Sequence, residues 1–300
     1  MRNEQVVQSS DSPLPSVAFL GLGQLGTPMA ANLLAAGFPL TVHNRTRTAE
    51  EPLAAAGAAR ACSPADAAAT AEILCLCLTD GAAVDEVLFG HQGAAAALPA
   101  GGLVIDFSTI DPSQAKACHD RLRLLGLDLV DAPVTGGTEG AKAGTLSVLV
   151  GGADATVDRA RPLLQAVGRT VTHFGPIGSG QQVKAVNQVL VAGSYAAAAE
   201  AMALGQRLGL PMELVRQALS GGAAGSWALE HRATGMLEGR FPLGFKLSLH
   251  RKDLAIALGA AAASDLNLPI SERVAAMEDS LIEAGFGEED VSALARWFTQ

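Results

Sequence analysis

A glycine-rich segment near the start of the chain constrains its fold more than any other feature. The segment directly follows the apolar run 17–20 and precedes an Ala-rich stretch that predicts a helix. In such a strand–turn–helix unit, the first glycine permits the tight turn, the second lets a pyrophosphate approach the backbone, and the third allows close helix–strand packing. The helix N-terminus then faces the phosphate charge. Glycine is common here, with 33 in the chain, but this position predicts a dinucleotide site at Gly21, Leu22, Gly23, Gln24, Leu25 and Gly26.

Short apolar runs alternate with Ala-rich helical stretches through the first half of the chain. The runs are 17–20, 40–42, 73–78, 103–107, 127–130 and 146–150. Runs of this length, separated by helices and bounded by Gly and Pro, predict βαβ units in a largely parallel sheet. After Phe174 the strand pattern stops, and a helical pattern runs from Gln181 to about Leu208. We expect an α/β fold, an N-terminal Rossmann-type doubly wound sheet followed by an all-α C-terminal domain. The expected parts are a flexible tail at 1–15, an NADP-binding domain at 16–175 and a helical substrate and oligomerisation domain at 176–300.

Composition and charge narrow the classes of function. A net charge of −9 argues against nucleic acid and anionic membranes as partners, because both attract basic surfaces. The most apolar stretch, 189–204, is interrupted by Glu200 and is shorter than the ~20 residues that span a bilayer, so it indicates a buried helix. Cys75 and Cys77 alternate on one strand face without a second Cys or His pair, so we expect buried thiols and no metal site. Without a signal peptide or a disulfide framework, the sequence favours a cytoplasmic protein.

The residues after the second apolar run indicate which dinucleotide binds. An NAD site would carry Asp or Glu there, to accept a hydrogen bond from the ribose 2′-hydroxyl. This chain has Asn44, Arg45 and Thr46 instead. An arginine pairs with a 2′-phosphate, which a carboxylate would repel, and a threonine can donate a hydrogen bond to it. The segment therefore favours NADP(H), with NAD(H) possible; the alternative is a solvated loop with two basic residues.

Three later segments carry candidate catalytic groups. Thr135, Gly136 and Gly137 place a hydroxyl beside consecutive glycine N–H groups, which suits a carboxylate or an oxyanion, although an ordinary glycine turn is equally compatible. Lys184 and Asn187 share one helix face, near a helix N-terminus that disfavours a purely structural cation; a solvated surface lysine is the alternative. Lys252 and Asp253 lie in a third segment, which taken alone is typical of a charged helix face.

Together, these segments resemble the β-hydroxyacid dehydrogenase family over about residues 17–298. The family includes 3-hydroxyisobutyrate dehydrogenases, tartronate semialdehyde reductases and glyoxylate/succinic semialdehyde reductases. The resemblance rests on four segments taken in order, 21–33, 131–152, 175–187 and 244–254. Segments 221–226 and 249–254 look closest to the tartronate semialdehyde reductases. By contrast, Asn44-Arg45-Thr46 looks more like the NADPH-using glyoxylate/succinic semialdehyde reductases, so the two hints differ on the substrate.

The resemblance implies a role for each matching residue. Lys184 is the expected acid/base, and Asn187 orients the substrate or the lysine. The substrate carboxylate is expected at Thr135, Gly136 and Gly137; the family usually has serine in place of Thr135, so the added methyl group narrows the pocket. Further residues near the cofactor are Leu78, Thr79, Thr109, Phe245 and Lys252, the last of which also reaches the substrate.

The expected function follows from these roles. It is NADP(H)-dependent interconversion of a small carboxylate-bearing aldehyde or ketone and its hydroxyacid, in a homodimer or homotetramer. Two alternatives remain. Imine reductases share the architecture but generally carry another residue where Lys184 stands, and some relatives without the lysine bind the cofactor without catalysis.

Overall fold

A six-stranded parallel sheet forms the first layer of the fold. The computed structural model describes residues 13–299. Residues 1–12 of the predicted tail at 1–15 therefore lie outside the described residues. The strands are β1 (Val17–Leu20), β2 (Leu40–His43), β3 (Ala59–Arg60), β4 (Ile73–Leu76), β5 (Leu103–Asp106) and β6 (Asp128–Asp131). Their order is β3-β2-β1-β4-β5-β6, so the direction of winding reverses between β1 and β4. Ligands of open α/β sheets bind beyond the strand carboxyl ends at such a reversal.

Helices cover both faces of this sheet. They are α1 (Gly26–Ala35), α2 (Glu51–Ala55), α3 (Pro64–Ala68), α4 (Gly81–Phe89) and α5 (Pro112–Leu124), with a 3₁₀ turn at Arg47–Glu50 before α2. Alternate residues of β1 belong to separate cores, because Phe19 packs in one apolar cluster and Leu20 in the other. Burial on both faces explains why the strands are continuous apolar runs rather than alternating ones.

A second, smaller sheet follows the first. It contains β7 (Val134–Thr135), β8 (Leu146–Val150) and β9 (Gly168–His173), with α6 (Gly137–Ala143) and α7 (Asp154–Val167) between them. β8 pairs antiparallel with β7 and parallel with β9. The apolar run 146–150 is therefore a strand as predicted, but in a separate sheet. Pro133 lies two residues after β6 and has no N–H to donate, which favours an end of the main sheet before the second one begins at Val134.

The remainder of the described chain is helical, which confirms the predicted fold class. The helices are α8 (Ser179–Arg207), α9 (Met212–Ser220), α10 (Trp227–His231), α11 (Ala233–Glu238), α12 (Leu247–Ala262) and α13 (Pro269–Glu283), and a 3₁₀ segment covers Val291–Phe298. α8 packs against α12, α13 and the 3₁₀ segment. Only one face of α8 is buried, because Val186, Leu190 and Leu204 are 62%, 69% and 60% exposed. Among the described helices, none is long and apolar enough to cross a membrane.

Candidate active site

The turn after β1 has the shape that a dinucleotide requires. Gly21 has a φ of +96°, and a Cβ added to it would lie 2.3 Å from the carbonyl oxygen of Cys77. A Cβ on Gly26 would lie 1.9 Å from the Gly21 carbonyl oxygen, so only glycine lets α1 begin this close to the turn. Around Gly23, by contrast, a Cβ would meet nothing within 4 Å. The open space at Gly23, beside the N-terminus of α1, fits a bound pyrophosphate.

The segment after β2 carries an exposed arginine, whereas its buried glutamate is already paired with two other arginines. Asn44 holds the loop against the glycine turn, because its Oδ1 accepts a hydrogen bond of 2.9 Å from the Leu22 N–H. Glu50 is fully buried and forms ion pairs of 2.8 Å with Arg47 and 2.7 Å with Arg60. Arg45 is exposed and forms no ion pair with residues 13–299. We call the turn 21–26 together with the loop after β2 the nucleotide edge. This edge therefore presents one guanidinium, that of Arg45, that is available to an anion.

The ends of β4 and β5 lie side by side and carry three of the predicted cofactor residues. The Leu78 N–H donates a hydrogen bond of 2.9 Å to Ser108 Oγ. Thr79 Oγ1 donates one of 3.1 Å to Asp80 Oδ2, at the N-terminus of α4. The Thr109 carbonyl oxygen accepts a bond of 2.7 Å from Lys252 Nζ, which reaches it from α12. The fold thus brings both turns and the helical domain's lysine to one edge of the sheet.

Buried polar groups fix the N-terminus of α8 against this edge. The carboxylate of Asp131 is 1% exposed and accepts hydrogen bonds from the N–H groups of Gly178, at 2.7 Å, and Gln181, at 2.9 Å. The Gln181 side chain accepts from the Ile110 N–H at 3.1 Å and donates to the Ser108 carbonyl oxygen at 2.8 Å. Gln181 was not predicted as a site residue. A glutamine at this position does not by itself indicate a site, because its partners lie 71 and 73 residues earlier in the chain.

Lys184 lies in the second turn of α8 and is buried, with 7% of its surface exposed. Its Nζ donates a hydrogen bond of 2.9 Å to the carbonyl oxygen of Val134. Burial lowers the pKa of Lys184, because the charged form loses hydration; Asp253 opposes this effect and Lys252 adds to it. A lysine with a lowered pKa, bonded to one neutral carbonyl, is suited to proton transfer.

The predicted carboxylate loop follows Val134 directly. Gly136 and Gly137 have φ values of +131° and +63°, which L side chains rarely adopt. Gly136 is exposed, and Thr135 and Gly137 are partly exposed. Through its bond to Val134, Lys184 therefore lies beside the three residues predicted to hold a carboxylate.

A series of side-chain contacts links Asn187 to Lys252. Asn187 Nδ2 donates a hydrogen bond of 2.7 Å to Gln188 Oε1, and Gln188 Nε2 donates one of 2.8 Å to Asp253 Oδ2. The other oxygen of Asp253 lies 2.7 Å from Lys252 Nζ. The sequence analysis missed Gln188, although its spacing of four from Lys184 placed both on one helix face.

Phe245 is another of the predicted cofactor residues, and it lies just before α12. Its N–H donates a hydrogen bond of 2.9 Å to Asp290 Oδ2, and its ring centroid lies 5.7 Å from that of His250, in an edge-on arrangement. These two contacts fix the segment that leads into the helix of Lys252 and Asp253.

Comparison with known proteins agrees with this architecture along almost the whole chain. The family model described as the NAD binding domain of 6-phosphogluconate dehydrogenase matches residues 16–175. The model described as the NAD-binding domain of NADP-dependent 3-hydroxyisobutyrate dehydrogenase matches residues 178–298.

Characterised relatives extend over similar lengths. The chain is 38% identical to an NAD-dependent L-serine dehydrogenase of Pseudomonas aeruginosa, over 95% of this chain and 98% of the relative. It is also 38% identical to 2-hydroxy-3-oxopropionate reductase of Escherichia coli, over 93% and 96% of the two chains. A solved structure of Mycobacterium tuberculosis 3-hydroxyisobutyrate dehydrogenase with L-serine superposes with a TM-score of 0.86 at 32% identity, over 96% of this chain and 100% of that one. The chain therefore belongs to the β-hydroxyacid dehydrogenase family of NAD(P)-binding oxidoreductases.

Proposed function

We propose that this enzyme uses NADP(H) to interconvert a small carboxylate-bearing aldehyde or ketone and its hydroxyacid, with Lys184 as the acid/base. The observation that carries the proposal is that Lys184 is buried and donates a hydrogen bond to the carbonyl oxygen of Val134, directly before the loop 135–137. The domain division at 16–175 and 176–300 is part of the same proposal, with the site between the two domains.

Each residue of the site has a distinct task in this proposal. A bound nicotinamide supplies or accepts the hydride. During reduction, protonated Lys184 donates its proton to the substrate oxygen on which negative charge develops; during oxidation, the neutral amine accepts the hydroxyl proton. The Thr135 hydroxyl and the N–H groups of Gly136 and Gly137 bind the carboxylate and orient the reacting carbon. Asn187 orients the substrate, and Lys252 holds the Thr109 turn.

The preference for NADP(H) rests on Arg45 and Thr46. Arg45 is exposed beyond β2, and the nearby carboxylate of Glu50 is already bonded to two arginines. A 2′-phosphate would find an unengaged guanidinium there, whereas a ribose hydroxyl would find no acidic acceptor. One relative is named as NAD-dependent, so NAD(H) is the competing cofactor.

A substrate panel tests the proposal. The purified enzyme is assayed with glyoxylate, succinic semialdehyde, 2-hydroxy-3-oxopropionate and methylmalonate semialdehyde, each with NADPH and with NADH, and in the reverse direction with L-serine. We expect turnover of at least one carboxylate substrate and a preference for the phosphorylated cofactor. A cyclic imine is the counter-substrate, since turnover of the imine alone would establish the imine reductase alternative. Binding of NADPH without turnover of any compound would favour the non-catalytic alternative.

We further propose a homodimer or homotetramer in the cytoplasm. Val186, Leu190 and Leu204 form an exposed apolar stripe on α8, and burying such a stripe against a second copy would remove it from water. All four cysteines are free thiols, which fits a reducing compartment. Light scattering of the purified protein would give a multiple of the 30.5 kDa chain mass, and a monomeric mass would refute the assembly.

A further inference from the structure

A single ion pair joins the two domains within residues 13–299. It connects Arg232, between α10 and α11, to Glu139 in the first turn of α6, with 2.6 Å between Nη2 and Oε1. The other ion pairs of the described chain each lie within one domain. A lone ion pair across a domain boundary is a candidate for holding the two sides of the proposed site at a fixed separation.

The guanidinium of Arg232 lies between two carboxylates. The residue is 8% exposed, and its guanidinium carbon lies 4.6 Å from the centre of the Trp227 ring. Its Nε lies 3.5 Å from Asp290 Oδ1 and has no hydrogen-bond partner among the described residues. Because an arginine offers donors in several directions from one rigid plane, a single side chain faces both Glu139 and Asp290.

Asp290 connects this arginine to the segment before α12. Its Oδ2 accepts hydrogen bonds of 2.9 Å from the N–H groups of Gly244 and Phe245. A Cβ on Gly244 would lie 2.3 Å from Arg232 Nη2, so glycine makes room for the guanidinium. The position of Phe245 therefore depends on Asp290 and, through it, on Arg232.

Glu139 connects the same arginine to the glycine loop. A Cβ added to Gly137 would lie 3.1 Å from Glu139 Oε2 and 3.9 Å from the Gly244 carbonyl oxygen, so the two segments face each other across the domain boundary. Partial burial raises the pKa of Glu139, but the hydrogen bond and charge of Arg232, together with hydrogen bonds from the Glu139 backbone and Thr138, outweigh this effect and lower the pKa. The pair thus stays ionised at neutral pH.

We infer that Arg232 is a positioning residue that acts through Glu139 to fix the loop 135–137 opposite Gly244-Phe245. We call these contacts the Arg232 clasp, and substrate affinity depends on the clasp more strongly than nucleotide affinity does. That the loop binds the substrate carboxylate rests on the proposed function. The clasp itself rests only on the contacts above. None of these contacts involves the turn 21–26, so breaking the clasp is expected to leave that turn intact.

The experiment uses two variants and a matched control. Glu139→Gln removes the charge from a side chain that is 52% exposed and keeps its shape, so this variant is expected to fold. Arg232→Lys keeps the charge but loses the planar guanidinium that faces both carboxylates. The control, Asp128→Asn, breaks the 2.8 Å ion pair of Asp128 with Arg159 inside the Rossmann domain.

Hydrogen–deuterium exchange is the first measurement. We expect faster exchange in segments 134–145 and 243–247 of both variants, with no change there in the control. Exchange equal to wild type in Glu139→Gln would overturn the clasp, whether or not the enzyme turns over any compound of the panel. Failure of the proposed function would instead appear as absent turnover by the wild-type enzyme.

Steady-state kinetics then separate positioning from general stability. We expect the KM for the carboxylate substrate to rise about tenfold, the size of effect of one charge-assisted hydrogen bond, with a smaller change in kcat. The Kd for NADPH should rise by a smaller factor than the KM, because the turn 21–26 and the loop after β2 take no part in the clasp. A rise in the Kd for NADPH equal to the rise in KM would contradict the inference, because it would show that the variant disturbs the whole cleft.

Discussion

The two sides of the proposed site, called its walls below, differ in the chemical groups that form them. The first wall, on the Rossmann domain, is mostly backbone in the glycine turn at 21–26, and the buried Glu50 in the segment after β2 forms ion pairs with Arg47 and Arg60. The wall formed by α8 and α12 consists of charged and amide side chains that hold one another, from Asn187 through Gln188 and Asp253. In the proposed mechanism, the first wall binds the nucleotide and the second carries the group that transfers the proton.

This difference predicts how each wall responds to substitution. Backbone donors cannot be removed by changing a side chain, so changes at the nucleotide edge should alter affinity or cofactor choice. Side-chain donors on the helical wall are coupled, so one change there should alter the chemistry and the pKa of its neighbours. The predictions below test this division.

The largest effect is expected from Lys184→Met, which removes the proton donor and keeps the bulk of the side chain. We expect kcat to fall roughly 10²–10³-fold, as for loss of a donor aimed at developing charge, with an unchanged Kd for NADPH. Lys116→Met, at an exposed lysine of α5, is the matched control and should be as active as wild type. Near-normal turnover by Lys184→Met would show that another group transfers the proton.

Arg45→Gln tests the opposite wall. We expect the KM for NADPH to rise about tenfold, because one charge-assisted contact to the 2′-phosphate is lost, whereas the KM for NADH should stay the same. The kcat should change little with either cofactor. Arg169→Gln, at an exposed arginine on β9, is the control. An equal effect on both cofactors would mean that Arg45 does not contact the 2′-phosphate.

The same division explains how much of the molecule the sequence predicts. The parallel sheet and the turn at 21–26 follow from local patterns, since each apolar run and each glycine acts within its own segment. The place of Lys184 in an early turn of a helix also follows, because that helix begins at a glycine-rich loop; its catalytic role stays a prediction. Gln181 and Arg232 could not be predicted, because their partners lie 71–73 and 93 residues away along the chain. The separate sheet of β7–β9 was missed because a strand pattern does not state its pairing partner.

Asp253→Asn should move the pH dependence of reduction. Reduction requires protonated Lys184, so the rate falls as pH rises through the pKa of that lysine. Burial lowers this pKa and Lys252 lowers it further, whereas the charge of Asp253 raises it. Without that charge, the alkaline fall in kcat for reduction should begin at lower pH than in the wild-type enzyme.

Rate profiles in both directions check this result. Oxidation uses the neutral amine, so its rate in Asp253→Asn should rise at lower pH than in wild type. Opposite displacements of the two directions would contradict the assignment, since one group governs both limbs. An unmoved profile would place the titrating group elsewhere.

The smallest effect on catalysis is expected from a change at Asp106, at the end of β5. The carboxyl of this residue affects the folding stability of the protein rather than the reaction. Burial raises the pKa of Asp106 to about 7 from 3.8, against the hydrogen bonds from Ser108. The folded protein therefore keeps a proton that the unfolded chain releases between these two values. The stability from this group is full below 3.8 and is lost as pH rises through about 7.

Asp106→Asn isolates that contribution, because asparagine does not titrate and can still accept a hydrogen bond from the Ser108 N–H. We expect the Tm of the variant, measured relative to wild type, to increase as the pH is raised through this range. The kcat at a fixed acidic pH should change little, since the carboxyl is protonated and uncharged there. A Tm difference that is constant with pH would mean that Asp106 titrates alike in both states, and that its burial does not disfavour the charge. A buried carboxyl on the first wall would then ionise without loss of stability. Charged side chains would in that case no longer distinguish the second wall from the first.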